Sequence, residues 1–161
     1  MNKSNNRYYT IYGINGCINF LSIENNYNIK SINICKNGQA HKNGDIIHQI
    51  NKLNITPNIL DKELFNSKFN FKHSQGIVIQ FSGLIEKDIS KKSFQENSCL
   101  LIADQIQDPQ NLGQIIRTCE CAGISGIVLH KHRSVLLTDT VLQVSQGAFM
   151  LLDIFIEHNL V

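Results

Sequence analysis

The chain has 161 residues, of which 42% are hydrophobic, and its formal net charge is only +2. This length and this hydrophobic content suffice for one ordinary domain or two small ones, so a disordered chain is not expected. No apolar run reaches about 18 residues, the length of a membrane span, and the polar start lacks the pattern of a signal peptide. We therefore expect a cytoplasmic protein without a membrane segment.

The charge is unevenly distributed along the chain. Residues 1–97 carry 12 basic and seven acidic side chains, giving +5, whereas residues 98–161 carry three basic and six acidic ones, giving −3. The first part is therefore a candidate for contact with a polyanion such as RNA, with Arg7 among its cations. A solvated surface of scattered lysines is the alternative interpretation of the same charges.

The five cysteines are odd in number and show no C-x-x-C spacing. This pattern indicates neither a disulfide framework nor a zinc site. Small buried thiols are the expected role.

Residues 1–83 predict a small α/β domain that follows a frayed tail over residues 1–10. Helical and alternating apolar patterns predict, in chain order, a helix from Ile14 to about Asn25, a strand at Ile29–Cys35, a helix around Ile46–Leu53, a strand at Asn54–Thr56, a helix at Ile59–Asn66 and a strand at Gly76–Phe81. His73 precedes the last strand, where we expect it to satisfy backbone groups at a turn rather than to act in catalysis. The polar residues 84–97 predict a linker.

Residues 98–161 predict a second α/β domain. Leu100–Ala103 is an apolar run typical of a strand buried on both faces. Asp108-Pro109 predicts the start of a helix whose apolar stripe ends at Gly123. A strand at Gly126–Leu129, a helix capped by Thr138 and ended by Gly147, and a strand at Phe149–Ile156 complete the pattern. Because ligands bind at the carboxyl ends of strands in open α/β sheets, residues 105–113 are predicted to hold a site.

A basic loop, His130-Lys131-His132-Arg133, follows the predicted strand at Gly126–Leu129. Its two histidines lack acidic or cysteine partners, so no metal site is predicted. A loop whose Lys131 and Arg133 contact RNA phosphates is a better interpretation than a metal site, and a plain solvated loop is an equal alternative to it.

The words D-P-Q-N-L-G and I-I-R-T, at residues 108–113 and 115–118, resemble the first motif of the SpoU (TrmH) family of S-adenosylmethionine-dependent RNA ribose 2′-O-methyltransferases. Upstream, Tyr12–Asn15 and His73–Gly76 resemble the start and end of the small substrate-recruiting domain that many members carry. The resemblance continues downstream at Gly123, Gly126, Arg133-Ser134 and Ser145–Ala148.

The resemblance implies a fold and partners. It implies an α/β substrate-binding domain for RNA over residues 1–83, a linker over 84–97, and the first half of a SPOUT-type knotted α/β methyltransferase domain over 98–161. S-adenosylmethionine is the implied cofactor, rRNA or tRNA the substrate, and a homodimer the state of a complete catalytic domain. The family's later glycine-rich G-x-E loop and S-L-N segment, which build the knotted cofactor pocket, do not occur in the sequence. We therefore expect a truncated, inactive form whose cofactor-binding residues are unknown.

Asn111 and Arg117 are the catalytic residues that the resemblance nominates. A guanidinium stays charged at physiological pH, so Arg117 is expected to clamp a phosphate or lower the pKa of the ribose hydroxyl rather than act as a base. An exposed arginine that merely stabilises the helix is the alternative. At about 100° per residue, the two side chains converge only if Asn111 precedes the helix proper.

Two other functions are possible for such a chain. One is a non-catalytic RNA-binding remnant whose first domain still recruits rRNA or tRNA. The other is a plain α/β fold with neither activity, in which the motif is a coincidence. Cofactor binding separates the enzyme from both, and RNA binding separates the remnant from the plain fold.

Overall fold

A computed structural model describes residues 7–24 and 26–160. The chain divides into two compact units, residues 1–83 and 84–161. Each unit contains one four-stranded sheet. Among the described residues, no helix has the length and apolar character needed to cross a bilayer.

The first unit is built on a mixed sheet with strand order β1-β4-β2-β3. Both β1 and β2 run antiparallel to β4, and β3 runs parallel to β2. Its elements are β1 (Tyr8–Tyr12), α1 (Ile14–Ser22), β2 (Asn28–Cys35), α2 (Gly44–Lys52), β3 (Asn58–Leu60), α3 (Lys62–Lys68) and β4 (Ile77–Ser82).

The predicted tail over residues 1–10 is wrong for its last part, and residues 1–6 lie outside the described residues. Tyr8–Tyr12 forms β1, which pairs with β4 along its whole length. Tyr9, Thr10 and Ile11 are all buried, so the strand does not show the simple alternation of a half-exposed edge. A strand of five residues this close to the amino terminus contains too few residues for an apolar pattern to be recognised.

The predicted strand at Asn54–Thr56 is also wrong, because β3 begins at Asn58. Asn54 has a φ of 53°, a left-handed conformation that ends α2 and does not belong to a strand. The following helix starts after Asp61, whose carboxylate accepts a hydrogen bond of 2.8 Å from the Leu64 N–H. Ile59, expected in that helix, therefore lies in the strand.

The two upstream motifs, Tyr12–Asn15 and His73–Gly76, meet at the start of α1. The residue before this helix is Gly13, which has no side chain to cap it. Gln75 supplies the cap, since its Oε1 accepts a hydrogen bond of 2.8 Å from the Ile14 N–H. His73 lies in the expected turn with a φ of 65°, but its side chain has no hydrogen-bond partner among the described residues. The backbone is satisfied by Gln75, so the role expected of His73 is wrong.

The second unit is built on a parallel sheet with strand order β5-β8-β7-β6. Its helices α4 and α5 pack against each other, because Gly113 of α4 lies against Val141 and Val144 of α5. Its elements are β5 (Glu86–Lys87), β6 (Leu100–Ala103), α4 (Pro109–Cys121), β7 (Gly126–His130), α5 (Asp139–Val144) and β8 (Asp153–Glu157).

Residues 84–97, expected to be a linker, are attached to the second sheet. They contain β5, which pairs with β8. Lys87 and Lys92 both contact the carboxylate of Asp153, and the Lys92 Nζ lies 2.6 Å from its Oδ2. Asp153 is largely buried at the start of β8, where an unpaired carboxylate would be costly. The polar composition of this segment thus reflects its ion pairs rather than a free tether.

Two further expectations about the strands are wrong. Leu100–Ala103 forms β6 with the expected bounds, but it is an edge strand, and Leu101 and Ile102 are 36% and 60% exposed rather than buried. The last strand starts at Asp153 instead of Phe149, because a short 3₁₀ turn over Ala148–Met150 follows Gly147, whose φ is 96°.

The cysteines divide by burial. Cys17, Cys35 and Cys119 are buried as expected, whereas Cys99 and Cys121 are exposed, and all five are free thiols. Burial raises the pKa of the Cys17 thiol far above its ordinary value, which keeps it protonated.

The glycine of the D-P-Q-N-L-G motif permits close packing of α4 on α5. A Cβ atom on Gly113 would lie 2.6 Å from Val144 Cβ and 3.0 Å from the carbonyl oxygen of Val141. We expect Gly113→Val to lower the free energy of unfolding of the second unit by about 1–3 kcal/mol, measured by urea denaturation. Gly44→Val at the start of α2 is the matched control, because a Cβ there meets nothing within 4 Å. Equal effects of both changes would contradict a packing role for Gly113.

The Asp153 cluster predicts an acid limb of stability. Burial alone would raise the pKa of Asp153, but hydrogen bonds from Lys87 and Lys92, together with their charges, outweigh it and hold the pKa below its usual range. The resulting stability is complete above the pKa of an unfolded aspartate, about 3.9, and is lost as the pH falls through the lower folded value. When thermal melts are recorded from pH 6 downward, the melting temperature of Asp153→Asn should depend less on pH than that of the parent chain. The melting temperature of Asp104→Asn should depend on pH as in the parent chain, because this change removes an exposed carboxylate without an ion-pair partner among the described residues.

Candidate active site

The carboxyl edge of the second sheet brings together the chain segments that leave three strands. Because β6, β7 and β8 are parallel, their carboxyl ends meet at one edge. Two backbone hydrogen bonds join the segments that follow them, from Val135 N–H to the Ile106 oxygen at 2.7 Å and from Lys131 N–H to the Glu157 oxygen at 2.9 Å. The edge is therefore one connected surface.

The loop from β6 to α4 has the expected turn chemistry. Gln105 has a φ of 60°, which turns the chain away from the strand. Asp108 then caps α4 by accepting a hydrogen bond of 2.9 Å from the Gln110 N–H, and Pro109 occupies the first helical position. The helix thus begins where the sequence predicted, and its start lies at the edge that carries the candidate site.

Asn111 and Arg117 lie on different sides of α4. Asn111 is the third residue of the helix, so the condition for convergence with Arg117 is not met. Six positions at about 100° each leave the two side chains about 120° apart around the axis. The structure therefore does not bring these two candidates together within one chain.

Asn111 lies on the rim of an open groove of about 560 Å³. One wall is a face of α4 with Ile115 and Thr118, and the other includes Leu101 of the edge strand. The groove is mainly apolar, with polar groups on its rim. Its remaining lining residues are Ile106, Gln114, Cys119, Ala122 and Ile124.

Arg117 is exposed and has no hydrogen-bond or ion-pair partner among the described residues. It lies outside the buried stripe of Leu112, Ile116 and Cys119. All of its guanidinium donors are thus available to a ligand.

The basic loop after β7 is held by a histidine that the sequence analysis did not single out. His158, which directly follows β8, lies between two side chains of the loop: its Nε2 is 3.1 Å from Lys131 Nζ, and its Nδ1 is 3.1 Å from His132 Nε2. An ammonium group only donates, so His158 accepts at Nε2, donates from Nδ1, and makes His132 Nε2 an acceptor. A signal for His158 was present in the sequence: it follows a predicted strand, and ligands bind at the carboxyl ends of strands in such sheets.

The same loop is closed on its other side by His130. Its Nδ1 accepts hydrogen bonds from the backbone N–H groups of His132 and Arg133, at 3.1 and 3.2 Å. Lys131 and Arg133 are exposed on this ordered turn. Among the described residues, no three His, Cys, Asp or Glu side chains are grouped so as to hold a metal ion.

Ser134 belongs to the Arg133-Ser134 segment of the resemblance, but no role was predicted for it. Its hydroxyl oxygen is buried and has no hydrogen-bond partner among the described residues. A buried hydroxyl without a partner costs about 1–3 kcal/mol. No local pattern signals such an atom, because its burial depends on the packing of distant segments.

Arg7, the remaining candidate, lies in the first unit. Its guanidinium carbon is 5.1 Å from the centre of the Tyr9 ring, a cation–π contact. The side chain is still exposed, so the contact fixes its position without burying its charge.

A parallel sheet with ordered polar loops at its carboxyl edge, joined to a separate mixed α/β unit, is typical of a two-domain α/β ligand-binding protein. Residues 98–161 match the family model described as "SpoU rRNA Methylase family", and residues 10–85 match the model described as "RNA 2'-O ribose methyltransferase substrate binding". The chain therefore belongs to the SpoU (TrmH) family, as its motifs predicted.

Relatives and solved structures agree with this assignment. A Bacillus subtilis protein named as a TrmH family tRNA/rRNA methyltransferase is 35% identical over 116 residues, which cover 69% of this chain and 45% of the relative. The AdoMet-bound rRNA methyltransferase of Sinorhizobium meliloti aligns with a TM-score of 0.72 at 19% identity, over 93% of this chain and 54% of that one. The SpoU methyltransferase AviRb of Streptomyces viridochromogenes, in complex with AdoMet, aligns with a TM-score of 0.74 at 13% identity, over 95% and 55%.

The fold is therefore that of SpoU methyltransferases. The chain spans about half the length of the solved structures it matches. It spans between about a fifth and a half of the curated relatives.

Proposed function

We propose that this chain contributes the RNA-recruiting domain and one half of the catalytic domain of an S-adenosylmethionine-dependent RNA ribose 2′-O-methyltransferase. The observation that carries the proposal is the position of the first family motif. Asp108–Gly113 forms the start of α4 at the carboxyl edge of a parallel sheet, where α/β proteins bind ligands. A cytoplasmic location and a homodimer of the complete catalytic domain belong to the same proposal.

The described residues by themselves do not fit S-adenosylmethionine as an enclosed ligand. The groove beside Asn111 is open, and Leu101 of the edge strand, which lines it, is 36% exposed. A small-molecule site instead buries most of its ligand in a concave pocket. We propose that the 161 residues alone neither bind the cofactor usefully nor transfer a methyl group, and that the half of the relatives outside the matched range supplies the other walls.

Within this function, Arg117 is proposed to hold a phosphate or stabilise the ionised ribose hydroxyl. Its donors have no partner in the part of the chain that the structure describes, and they form a planar fork that suits oxyanions. Asn111, which is 120° away by helical geometry, is proposed to act on the groove side of α4. The two residues therefore serve different parts of the site.

A second candidate function is RNA binding without catalysis, and one observation favours it. The sheet of the first unit is flanked by helices and matches the substrate-binding model along its length, whereas the groove of the second unit is open. In that function, Arg7, Lys131 and Arg133 still contact RNA phosphates.

RNA binding by the whole chain tests both functions. The affinity for rRNA or tRNA fragments, measured by fluorescence anisotropy, is expected to fall linearly on a log–log plot as salt rises, because each neutralised phosphate releases counterions. Replacing both Lys131 and Arg133 by Ala should reduce the slope by about 1.5. Lys91→Ala is the control, since Lys91 is paired with Asp88. Salt-insensitive binding would contradict the proposal.

A further inference from the structure

One face of the first sheet is only partly covered. On the covered face, α1 packs against the sheet, and the rings of Phe20 and Phe81 are 4.5 Å apart. On the opposite face, Phe65 of α3 packs on Cys35 and Val78. The rest of that face, toward the start of β1, carries polar side chains.

These polar side chains form a hydrogen-bonded row across three strands. Asn58 Nδ2 donates to Asn33 Oδ1 at 3.1 Å, Asn33 Nδ2 donates to Ser31 Oγ at 3.0 Å, and Ser31 Oγ donates to Gln80 Oε1 at 3.1 Å. We call this set, Asn58, Asn33, Ser31 and Gln80, the amide row. Strand positions usually carry β-branched or aromatic residues, so three amides in one row are unusual.

The amide row has a direction and two open ends. Because every bond in it points from β3 toward β4, each amide is oriented by its neighbour. The Gln80 Nε2 donors at one end and the Asn58 Oδ1 acceptor at the other have no partner among the described residues. A fixed amide donor and a fixed amide acceptor are the groups that recognise base edges.

Aromatic rings lie at both ends of β1, on the face of the amide row. Tyr8 alternates onto the same face as Gln80 and is 50% exposed. Phe71, also exposed, stacks on Tyr12 with ring centres 4.6 Å apart and planes 4° apart. Tyr12 is four positions after Tyr8 along the strand, which corresponds to about 13 Å and leaves room for more than one base.

The charge on this face complements RNA. The register of β2 shifts between Ile29 and Ser31, and Lys30 at the shift places its ammonium 5.9 Å from the centre of the Tyr8 ring. On the same side, α3 and its following loop carry the exposed cations Lys62, Lys68 and Lys72. Residues 1–83 as a whole have nine basic and four acidic side chains.

We propose that this face binds an unpaired RNA segment, whose bases stack on Tyr8 and on the Tyr12–Phe71 pair and form hydrogen bonds with the two open ends of the amide row, Gln80 Nε2 and Asn58 Oδ1. The proposal rests on the proposed function in that it takes RNA as the substrate. Unpaired rather than duplex RNA follows from the exposed rings, because only unstacked bases can be splayed onto aromatic side chains.

The test measures binding of the full 161-residue chain to labelled oligouridine, oligoadenosine and a hairpin duplex of equal charge, at fixed salt. The single strands should bind more tightly than the duplex. Tyr8→Ala should weaken single-strand binding about tenfold, the lower part of the range for losing a base–aromatic stack, and Tyr8→Phe should retain it. Asn58→Ala should change the ratio of the affinities for the two oligonucleotides.

Asn51→Ala and Lys52→Ala are the matched controls, because they remove an exposed amide and an exposed cation from α2, away from this face. Both should bind like the parent chain. Circular dichroism melts identify any variant that is misfolded. Lys30→Ala, which leaves the core unchanged, is then tested in place of the misfolded variant. A parent chain that binds RNA while Tyr8→Ala binds within twofold of it, or one that prefers the duplex, overturns this inference alone. A parent chain that binds no RNA overturns the proposed function as well.

Discussion

Calorimetric titration of these 161 residues with S-adenosylmethionine is expected to show no micromolar binding. A chimera that continues into the carboxyl-terminal half of the Bacillus subtilis relative is expected to bind in that range. The reason is geometric: the groove between α4 and the edge strand β6 is open, and Leu101, which lines it, is 36% exposed. A ligand lying in an open groove keeps much of its surface in water and loses the many small contacts of a concave site.

The controls separate an incomplete pocket from an unfolded one. The appended half by itself should not bind the cofactor, and the 161 residues should show the circular dichroism of a folded α/β protein. Adding the missing half as a separate chain should restore part of the binding. Micromolar binding by the 161 residues without any addition would show that the described groove is a sufficient site.

The exposed edge of the second sheet has a related consequence for solubility. A strand such as β6, with two exposed branched side chains and unpaired backbone groups on its outer side, is a template for pairing with another chain. The chimera is therefore expected to remain monodisperse at concentrations at which the 161 residues associate.

The elements best predicted from the sequence are those with local signals at both ends. For α4, Asp108 and Pro109 mark the start and Gly123, with a φ of 71°, marks the end, and the helix runs over Pro109–Cys121. Capping and left-handed turns depend on a few neighbouring residues, which the sequence shows directly. The position of the first family motif at the start of this helix could be predicted for the same reason.

The burial of side chains was harder to predict from the sequence, because it depends on which elements lie next to one another. The apolar run Leu100–Ala103 has the composition of a central strand but occupies an edge. The polar composition of residues 84–97 suggested a tether, whereas Lys87 and Lys92 compensate the buried carboxylate of Asp153. Neither outcome can be derived from a short window of sequence.

Contacts between distant residues were not predicted at all. His158 meets Lys131 and His132 only because β7 and β8 are adjacent and parallel. The amide row joins Asn33 to Asn58 across 25 positions. In a chain rich in asparagine, nothing distinguished these two from asparagines that lie on the surface.

In the complete chimera, Arg117→Lys is expected to lower turnover about 100-fold and to change the free energy of unfolding by less than about 0.5 kcal/mol. Arg117 lies off the buried stripe of α4 and has no protein partner among the described residues, so folding does not depend on it. Lysine keeps the charge but lacks the planar fork that binds two oxygens at once. Because the charge is kept, a large loss of turnover would show that the planar geometry of the guanidinium is required.

The way the loss divides between kcat and KM decides which role Arg117 has. If it clamps a substrate phosphate in the ground state, KM rises while kcat is largely retained; if it stabilises the ionising ribose hydroxyl, kcat falls with little change in KM. We expect the second pattern, because the motif that carries Arg117 begins at the carboxyl edge of the sheet, where the reacting groups should lie. Cys121→Ser, an exposed change one turn further along α4, is the control and should retain the activity of the parent chimera. Activity of Arg117→Lys within a fewfold of the parent would remove Arg117 from the chemistry and leave it as an exposed residue of the helix.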